Sequence, residues 1–199
     1  MSPMRHVLAC LAFCLCLMTG LSLDVAAADL ANPLAYAPPA VAHTLISEIR
    51  GGVFAHGPGT RESGSVDING ELLFSKPFQP ADPLMAFLIP RLHVGGTFNT
   101  AGDTSQVYAG FTWTYDITRA VFIEGSLGGA FHNGETGRLP HLDRLNLGCS
   151  PLIRATGSLG YRFDANWSVM ATVEHISNAG TYHANQGLTN YGVRVGYSF

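Results

Sequence analysis

The stretch TNYGVRVGYSF, residues 189–199, alternates between two kinds of side chain. Aromatic or aliphatic residues stand at every odd position from 191 to 199, and small or polar residues stand between them. Side chains of a β-strand point alternately to opposite faces of the sheet. This stretch therefore predicts a strand with one apolar face and one polar face.

The same alternation recurs along the chain before this stretch. Clusters of Gly, Pro, Asn and Asp separate the alternating segments, and no window shows a helical period of 3.6. The eight predicted strands span residues 45–56, 64–75, 84–98, 105–115, 120–132, 152–163, 167–177 and 189–199. Pro90 falls inside the third of them, where we interpret it as a bulge, because proline lacks the N–H group that the ladder needs.

Charged residues collect on one face of the predicted strands, and the other face carries none. The charged face holds five acids and four arginines: Glu48, Arg50, Asp67, Glu71, Arg91, Glu124, Arg154, Glu174 and Arg194. Unpaired charges away from water are very costly. A soluble sandwich would expose this face, and its surface would usually carry lysines, whereas this chain has the single lysine Lys76. A closed barrel with lipid outside and a salt-bridged interior satisfies both faces.

The composition agrees with this prediction. The chain holds 11 Phe, 7 Tyr and 2 Trp at a net charge of −3, and this content argues against intrinsic disorder, which needs few aromatic residues and a high net charge. A net charge of −3 without a basic cluster argues against nucleic-acid binding. We therefore predict an all-β fold, an eight-stranded antiparallel transmembrane β-barrel of the bacterial outer membrane, because eight strands of about ten residues match the smallest such barrels.

Three regions divide the chain. Residues 1–28 read as a signal peptide, with Arg5, a following apolar run and three alanines at 26–28. The apolar run is shorter than the ~20 residues that a membrane anchor needs. Residues 29–43 are expected to form an irregular tail, and residues 44–199 the barrel. Cys149 is then the one cysteine left, so no intramolecular disulfide is expected.

The connections between predicted strands differ in length. Residues 115–119 and 163–167 read as tight turns, whereas 133–150 and 178–188 read as long loops. Barrels of this class have short periplasmic turns and longer outer loops. A periplasmic N-terminus would therefore place the end of the seventh strand at the cell exterior.

His175 and Ser177 stand two residues apart near the end of the seventh predicted strand, on its lipid-facing side. A histidine beside a serine can act as a general base while the serine oxygen attacks a carbonyl. The alternative is that both residues merely belong to the interfacial belt. The other histidines are scattered without the spacing of a zinc site, so we expect neither a metal nor a cofactor.

The run HISNAG at 175–180, followed by NQGL at 185–188 and a terminal strand, resembles the PagL family of lipid A 3-O-deacylases. Members of that family are eight-stranded outer-membrane barrels that hydrolyse the ester at the 3-position of lipid A. The resemblance implies that Ser177 is the nucleophile and His175 the base. It also implies that Asn178, with backbone N–H groups around Ala179 and Gly180, stabilises the oxyanion.

The chain departs from the family at the acid position. Founding members place a glutamate twelve residues after the serine, where this chain has Thr189. Thr189 has the matching parity, but its hydroxyl cannot stabilise an imidazolium as a carboxylate does. Glu174 points into the lumen, and Glu135 or Asp143 would have to fold over from the long loop. Two alternatives remain open: an active Ser–His dyad whose histidine is oriented by Thr189, and a slow or inactive relative of the family.

Two functions follow from these observations. One is an esterase that removes the 3-O-linked acyl chain of lipid A in the outer leaflet, and the other is a non-catalytic barrel with a structural, adhesion or recognition role. The expected partners are lipopolysaccharide, outer-membrane lipids and the outer-membrane assembly machinery. The machinery is expected because the strand ending at Phe199 resembles the C-terminal signal that it reads. No nucleic-acid partner is expected, and both a monomer and a homodimer stay open.

Overall fold

The computed structural model describes residues 44–137 and 143–199, which form a closed barrel of eight antiparallel strands. Each strand pairs with the next along the chain, and the last strand pairs with the first. The strands are β1 (Ile46–Ala55), β2 (Val66–Phe74), β3 (Arg91–Asn99), β4 (Gln106–Asp116), β5 (Val121–His132), β6 (Leu152–Arg162), β7 (Trp167–Ser177) and β8 (Leu188–Ser198). The predicted fold class is confirmed. The expected signal peptide and tail lie outside the described residues.

The third strand is shorter than predicted, because a helix precedes it. Helix α1 (Pro83–Leu88) occupies the first part of the predicted segment, and β3 begins at Arg91. The side chain of Asp82 caps α1 by accepting a hydrogen bond from the Met85 N–H at 2.8 Å. Pro90 therefore precedes the strand, and its interpretation as a bulge was wrong. Across the two described ranges, no helix has the length and apolar character needed to cross a membrane.

The connections lie at two ends of the barrel. The end that we call the loop end carries residues 56–65, 100–105, 133–137, 143–151 and 178–187. The opposite end, called the turn end, carries residues 75–90, 117–120 and 163–166. Two of the turn-end connections are short, as predicted. The third, residues 75–90, departs from the expected length because it holds α1.

The barrel has the two faces that the sequence predicts, with the uncharged face outside and the charged face inside. Apolar side chains of the uncharged face point outward, where Val173 is 42% and Val193 is 50% exposed. Of the nine charged residues on the other face, eight are almost fully buried in the lumen, and Arg91 is partly buried. The charged side chains therefore have to neutralise one another inside the barrel.

Arg50 is the centre of the ion-pair network in the lumen. Its guanidinium lies 2.7 Å from Glu48, 2.6 Å from Glu124 and 3.1 Å from Glu71. The other three arginines form ion pairs with these glutamates or with Glu174. Arg91 pairs with Glu48 at 2.7 Å, Arg194 pairs with Glu71 at 2.8 Å, and Arg154 pairs with Glu174 at 2.6 Å. Four arginines thus face four glutamates across the barrel interior.

Removal of Arg50 should strongly destabilise the barrel. An Arg50→Met variant leaves three carboxylates close together without their shared cation, and breaking a buried ion pair costs about 3–5 kcal/mol. Urea unfolding in detergent micelles, followed by the heat-modifiable mobility of the barrel on gels, measures the change. The matched control is Arg119→Met at an exposed turn position, which should change the free energy of unfolding by less than ~0.5 kcal/mol. Equal stability of the two variants would contradict a structural role for the network.

Candidate active site

His175 and Ser177 lie on the outer wall of the barrel at the loop end. The imidazole is exposed and the serine is partly exposed, whereas Ile176 between them is fully buried in the barrel interior. On the neighbouring strand β6, Ala155 stands opposite His175 and Ile153 opposite Ser177. The two polar side chains therefore project from the lipid-facing wall beside apolar neighbours on β6.

Thr189 contacts the imidazole from the adjacent strand. It pairs with His175 across β7 and β8, and the Thr189 Oγ1 atom lies 2.8 Å from His175 Nδ1. Glu174, the carboxylate next to His175 in the chain, lies in the lumen, where Arg154 donates to it at 2.8 Å. The hydroxyl of Thr189 is thus the hydrogen-bond partner of the ring at Nδ1, and the neighbouring carboxylate of Glu174 is not.

The second imidazole nitrogen, Nε2, lies on the side of the ring away from Nδ1. Within the described residues, no hydrogen bond joins His175 Nε2 to Ser177 Oγ. Same-face neighbours in a strand are ~7 Å apart at their Cα atoms, and catalytic contacts are often long before a substrate binds. Gly187 gives the ring its space, because a Cβ atom there would lie 3.1 Å from His175 Cε1. Its φ of +63° also favours glycine.

A tight turn follows Ser177 and holds the residues next to the hydroxyl. The Thr181 N–H donates to the Asn178 carbonyl at 3.0 Å, and both central residues have positive φ, 52° at Ala179 and 77° at Gly180. This is the backbone pattern of a type I′ turn. Ala179 is left-handed without being glycine, and such strained residues concentrate at functional sites.

Asn178 ties this turn to two loops. Its side chain is buried and donates to the carbonyls of Leu147, at 3.0 Å, and Ala184, at 2.6 Å. Its Oδ1 accepts the Gly180 N–H at 3.0 Å. The Asn178 N–H donates to Asn185 Oδ1 at 3.1 Å. Asn185 stands in the quoted NQGL run, and the sequence alone indicates no role for it.

Apolar packing inside the barrel supports the same strand ends. Leu145 and Leu147 of the loop before β6 enter the lumen and are nearly inaccessible to solvent. The cluster that they join contains Tyr108, Ala130, Leu145, Leu147, Cys149, Leu152, Ile176 and Leu188. Because Ile176 separates His175 from Ser177, and Leu188 precedes Thr189, this cluster fixes the backbone that carries all three polar side chains.

The family model described as lipid A 3-O-deacylase (PagL) matches residues 88–198. The chain belongs to the PagL family. The match includes β3 to β8 and therefore every residue of the candidate site.

A solved structure of a PagL enzyme shows the same fold. The crystal structure of the outer membrane enzyme PagL aligns with a TM-score of 0.58 and 20% sequence identity, over 77% of this chain and 100% of that chain. A structure from the de novo design of transmembrane β-barrels aligns with a TM-score of 0.49 and 14% identity, over 78% of this chain and 96% of that chain. No curated protein matches the chain. Family and fold together support an outer-membrane location.

In this PagL-family barrel, Glu62 connects three loops at the loop end. Its carboxylate accepts the Leu145 N–H at 2.9 Å and the Thr104 N–H at 3.1 Å, and it lies 3.1 Å from His56 Nε2. His56 Nδ1 lies 2.9 Å from Asp67. The position of Leu145, and with it the apolar cluster behind the site, therefore depends on a carboxylate in the first loop.

Both ionisable groups at this junction have shifted pKa values. Burial alone would lower the pKa of His56, but its hydrogen bonds to Asp67 and Glu62 raise the pKa from 6.5 to about 9. Burial alone would raise the pKa of Glu62, but hydrogen bonds from His56, Leu145 and Thr104 lower it to about 2. At neutral pH the histidine is therefore a cation held between two carboxylates.

The stability of the barrel should decrease as the pH rises through the pKa of His56. The folded state holds this proton more tightly than the unfolded state does, so the contribution is complete below pH ~6.5 and is lost as the pH rises past ~9. Urea unfolding midpoints across this interval measure the effect, and a His56→Gln variant should lack that component. The control His183→Gln, at an exposed loop histidine, should keep the native pH dependence. Parallel pH profiles for native protein and His56→Gln would argue against the charged cluster.

Proposed function

We propose that this barrel is a lipid A 3-O-deacylase that hydrolyses the ester on its outer wall, with Ser177 as nucleophile and His175 as base. The observation that carries the proposal is the hydrogen bond between Thr189 and His175 beside a serine on the lipid-facing side. An ester at the boundary between sugar and acyl chains can meet such a site from within the membrane. Family membership supports this substrate class.

Proton transfer begins with the imidazole tautomer that donates Nδ1–H to Thr189 Oγ1. The lone pair of Nε2 then accepts the Ser177 proton while Oγ attacks the ester carbonyl. Collapse of the tetrahedral intermediate breaks the bond to the sugar oxygen, which takes the proton from Nε2 and leaves as the hydroxyl. Water then attacks the acyl-enzyme, with His175 again as base, and the fatty acid is released.

The oxyanion of each tetrahedral intermediate would be stabilised by the turn after Ser177. Asn178 acts by holding this turn, because its Oδ1 binds the Gly180 N–H and its Nδ2 binds two loop carbonyls. The N–H of Ala179 makes no hydrogen bond within the described residues, which supports it as a donor to the oxyanion. A preorganised donor of this kind is worth about 3–4 kcal/mol in comparable hydrolases.

The threonine at the acid position predicts a slow enzyme. A hydroxyl fixes the ring by a hydrogen bond, but it has no charge to stabilise the imidazolium that forms during attack. Loss of the acid from a Ser-His-Asp triad lowers turnover by ~10⁴. The barrel is therefore proposed to work as a Ser177–His175 dyad with Thr189 as the residue that orients the base.

The proposed placement puts the loop end at the cell exterior, so that the site faces the outer leaflet. The terminal strand carries exposed aromatic side chains on its lipid-facing side, including Tyr191 and Phe199. This pattern supports recognition of the strand by the outer-membrane assembly machinery.

Replacement of the nucleophile tests the function. Ser177→Ala should abolish deacylation, because no other atom supplies the attacking oxygen in this mechanism. The measurement is mass spectrometry of lipid A from cells that express each variant, where native protein should remove the mass of one hydroxyacyl chain. The matched control is Ser168→Ala, which changes a buried serine on the same strand and should keep the activity. Unchanged lipid A with the native protein would sink the enzyme hypothesis, and activity in Ser177→Ala would reject the assigned nucleophile.

Substitutions at position 189 test the orienting residue. Thr189→Glu restores a carboxylate beside Nδ1 and should raise kcat, by up to ~10⁴. Thr189→Val removes the hydrogen bond while keeping the shape, and it should lower kcat by about tenfold, the worth of one ordinary hydrogen bond. Initial rates on purified lipid A in mixed micelles, measured across pH, distinguish the two effects. If both variants retain the native rate and pH profile, Thr189 does not orient the base.

A further inference from the structure

We propose that helix α1 and the segment before it lie in the membrane interface at the turn end, with their apolar side chains inserted among the acyl chains of the lipid leaflet there. The partner is thus a lipid surface, contacted by a part of the chain outside the barrel wall. This proposal is independent of the catalytic site, which lies at the other end of the barrel.

The side chains of α1 are apolar and lack protein cover. Leu84 is 62%, Met85 53% and Leu88 52% exposed, and none of the helix residues is buried. Phe78, in the segment before the helix, is 57% exposed. Residues 77–90 include one charged side chain, that of Asp82, which caps the helix. Water would be an unfavourable environment for such a surface.

The contacts of α1 place it against the outside of the barrel. The ring of Phe87 packs edge-on against Tyr115, with centroids 6.0 Å apart, and Trp113 Nε1 donates to the Leu88 carbonyl at 3.2 Å. Tyr115 and Trp113 belong to the lipid-facing side of β4, close to the turn that follows Asp116. The apolar surface of α1 is therefore continuous with the surface that meets lipid.

Lys76 fixes the helix from the end of β2. Its ammonium group donates to the Ala86 carbonyl at 2.5 Å, next to the helix end where the backbone dipole favours a cation. Prolines at 77, 80 and 83 restrict the path between Lys76 and α1. The helix is thus held in one orientation before any membrane contact forms.

Size favours a lipid surface over a protein partner. A stable protein interface buries ~800 Å² on each side, whereas a six-residue helix is only ~9 Å long. A membrane interface has no such minimum, because each apolar side chain that enters it contributes separately. Trp and Tyr are the aromatic residues enriched at membrane–water interfaces, and Trp113 and Tyr115 both contact α1 here.

Depth-dependent fluorescence quenching tests the proposal in the full chain. Cys10, Cys14, Cys16 and Cys149 are replaced by alanine, and an environment-sensitive fluorophore is attached to Met85→Cys. Two matched positions calibrate the signal: Val173→Cys on the lipid-facing wall and Arg119→Cys on an exposed turn at the same end as α1. Each protein is inserted into vesicles of phosphatidylcholine with brominated acyl chains, and heat-modifiable mobility on gels confirms that the barrel has formed.

The label at Met85 should be quenched by brominated lipid at least about threefold more than the label at Arg119, and should approach the label at Val173. Iodide in the aqueous phase should quench it less than it quenches the label at Arg119. Quenching equal to that at Arg119 would show that α1 lies in water and would overturn the proposal. Protection from both quenchers would overturn it as well, because α1 would then be covered by protein, such as a second copy of the chain.

Discussion

Pairing of buried charges inside the barrel is the constraint on which the rest of the structure depends. The lumen is narrow and largely filled by side chains, so each arginine needs a carboxylate within reach, and Arg50 satisfies this need with three. The strict alternation of each strand keeps these groups inside and the apolar groups in lipid. A register slip of one residue would exchange the two faces and place guanidinium groups in hydrocarbon, so the network also specifies the register.

The candidate site lies at the end of β7 where the polar face changes from the inside of the barrel to the outside. Along most of β7 the inner face is polar and the outer face is apolar, but at its loop end Ile176 is buried inside while His175 and Ser177 point outward. The reversal is feasible because Leu145 and Leu147 fill the mouth of the barrel with apolar side chains. Polar groups on the outer wall are then free to meet a ligand at the membrane surface.

Alternation in the sequence was sufficient to predict the barrel and its two faces, since parity alone fixes which side chains share a face. The position of Thr189 beside His175 was expected from the resemblance to the PagL family, and parity showed only that the two side chains could share a face. The pattern failed at residues 84–90, because a short apolar run without polar interruptions has no period that separates helix from strand. Alternation also could not predict that Asn178 and Glu62 join loops. Their partners, such as Leu147 and Leu145, are distant in the chain, and loop contacts follow no repeat.

The location of the imidazole and hydroxyl on the wall rather than in the lumen determines how molecules would reach them. Ligands of the outer wall arrive and leave by lateral diffusion in the plane of the bilayer, a two-dimensional encounter. The rate of such a reaction depends on the mole fraction of the lipid within its leaflet, and not on its bulk concentration. A fatty acid released there would remain dissolved in the same leaflet, where it would change the packing of its neighbours.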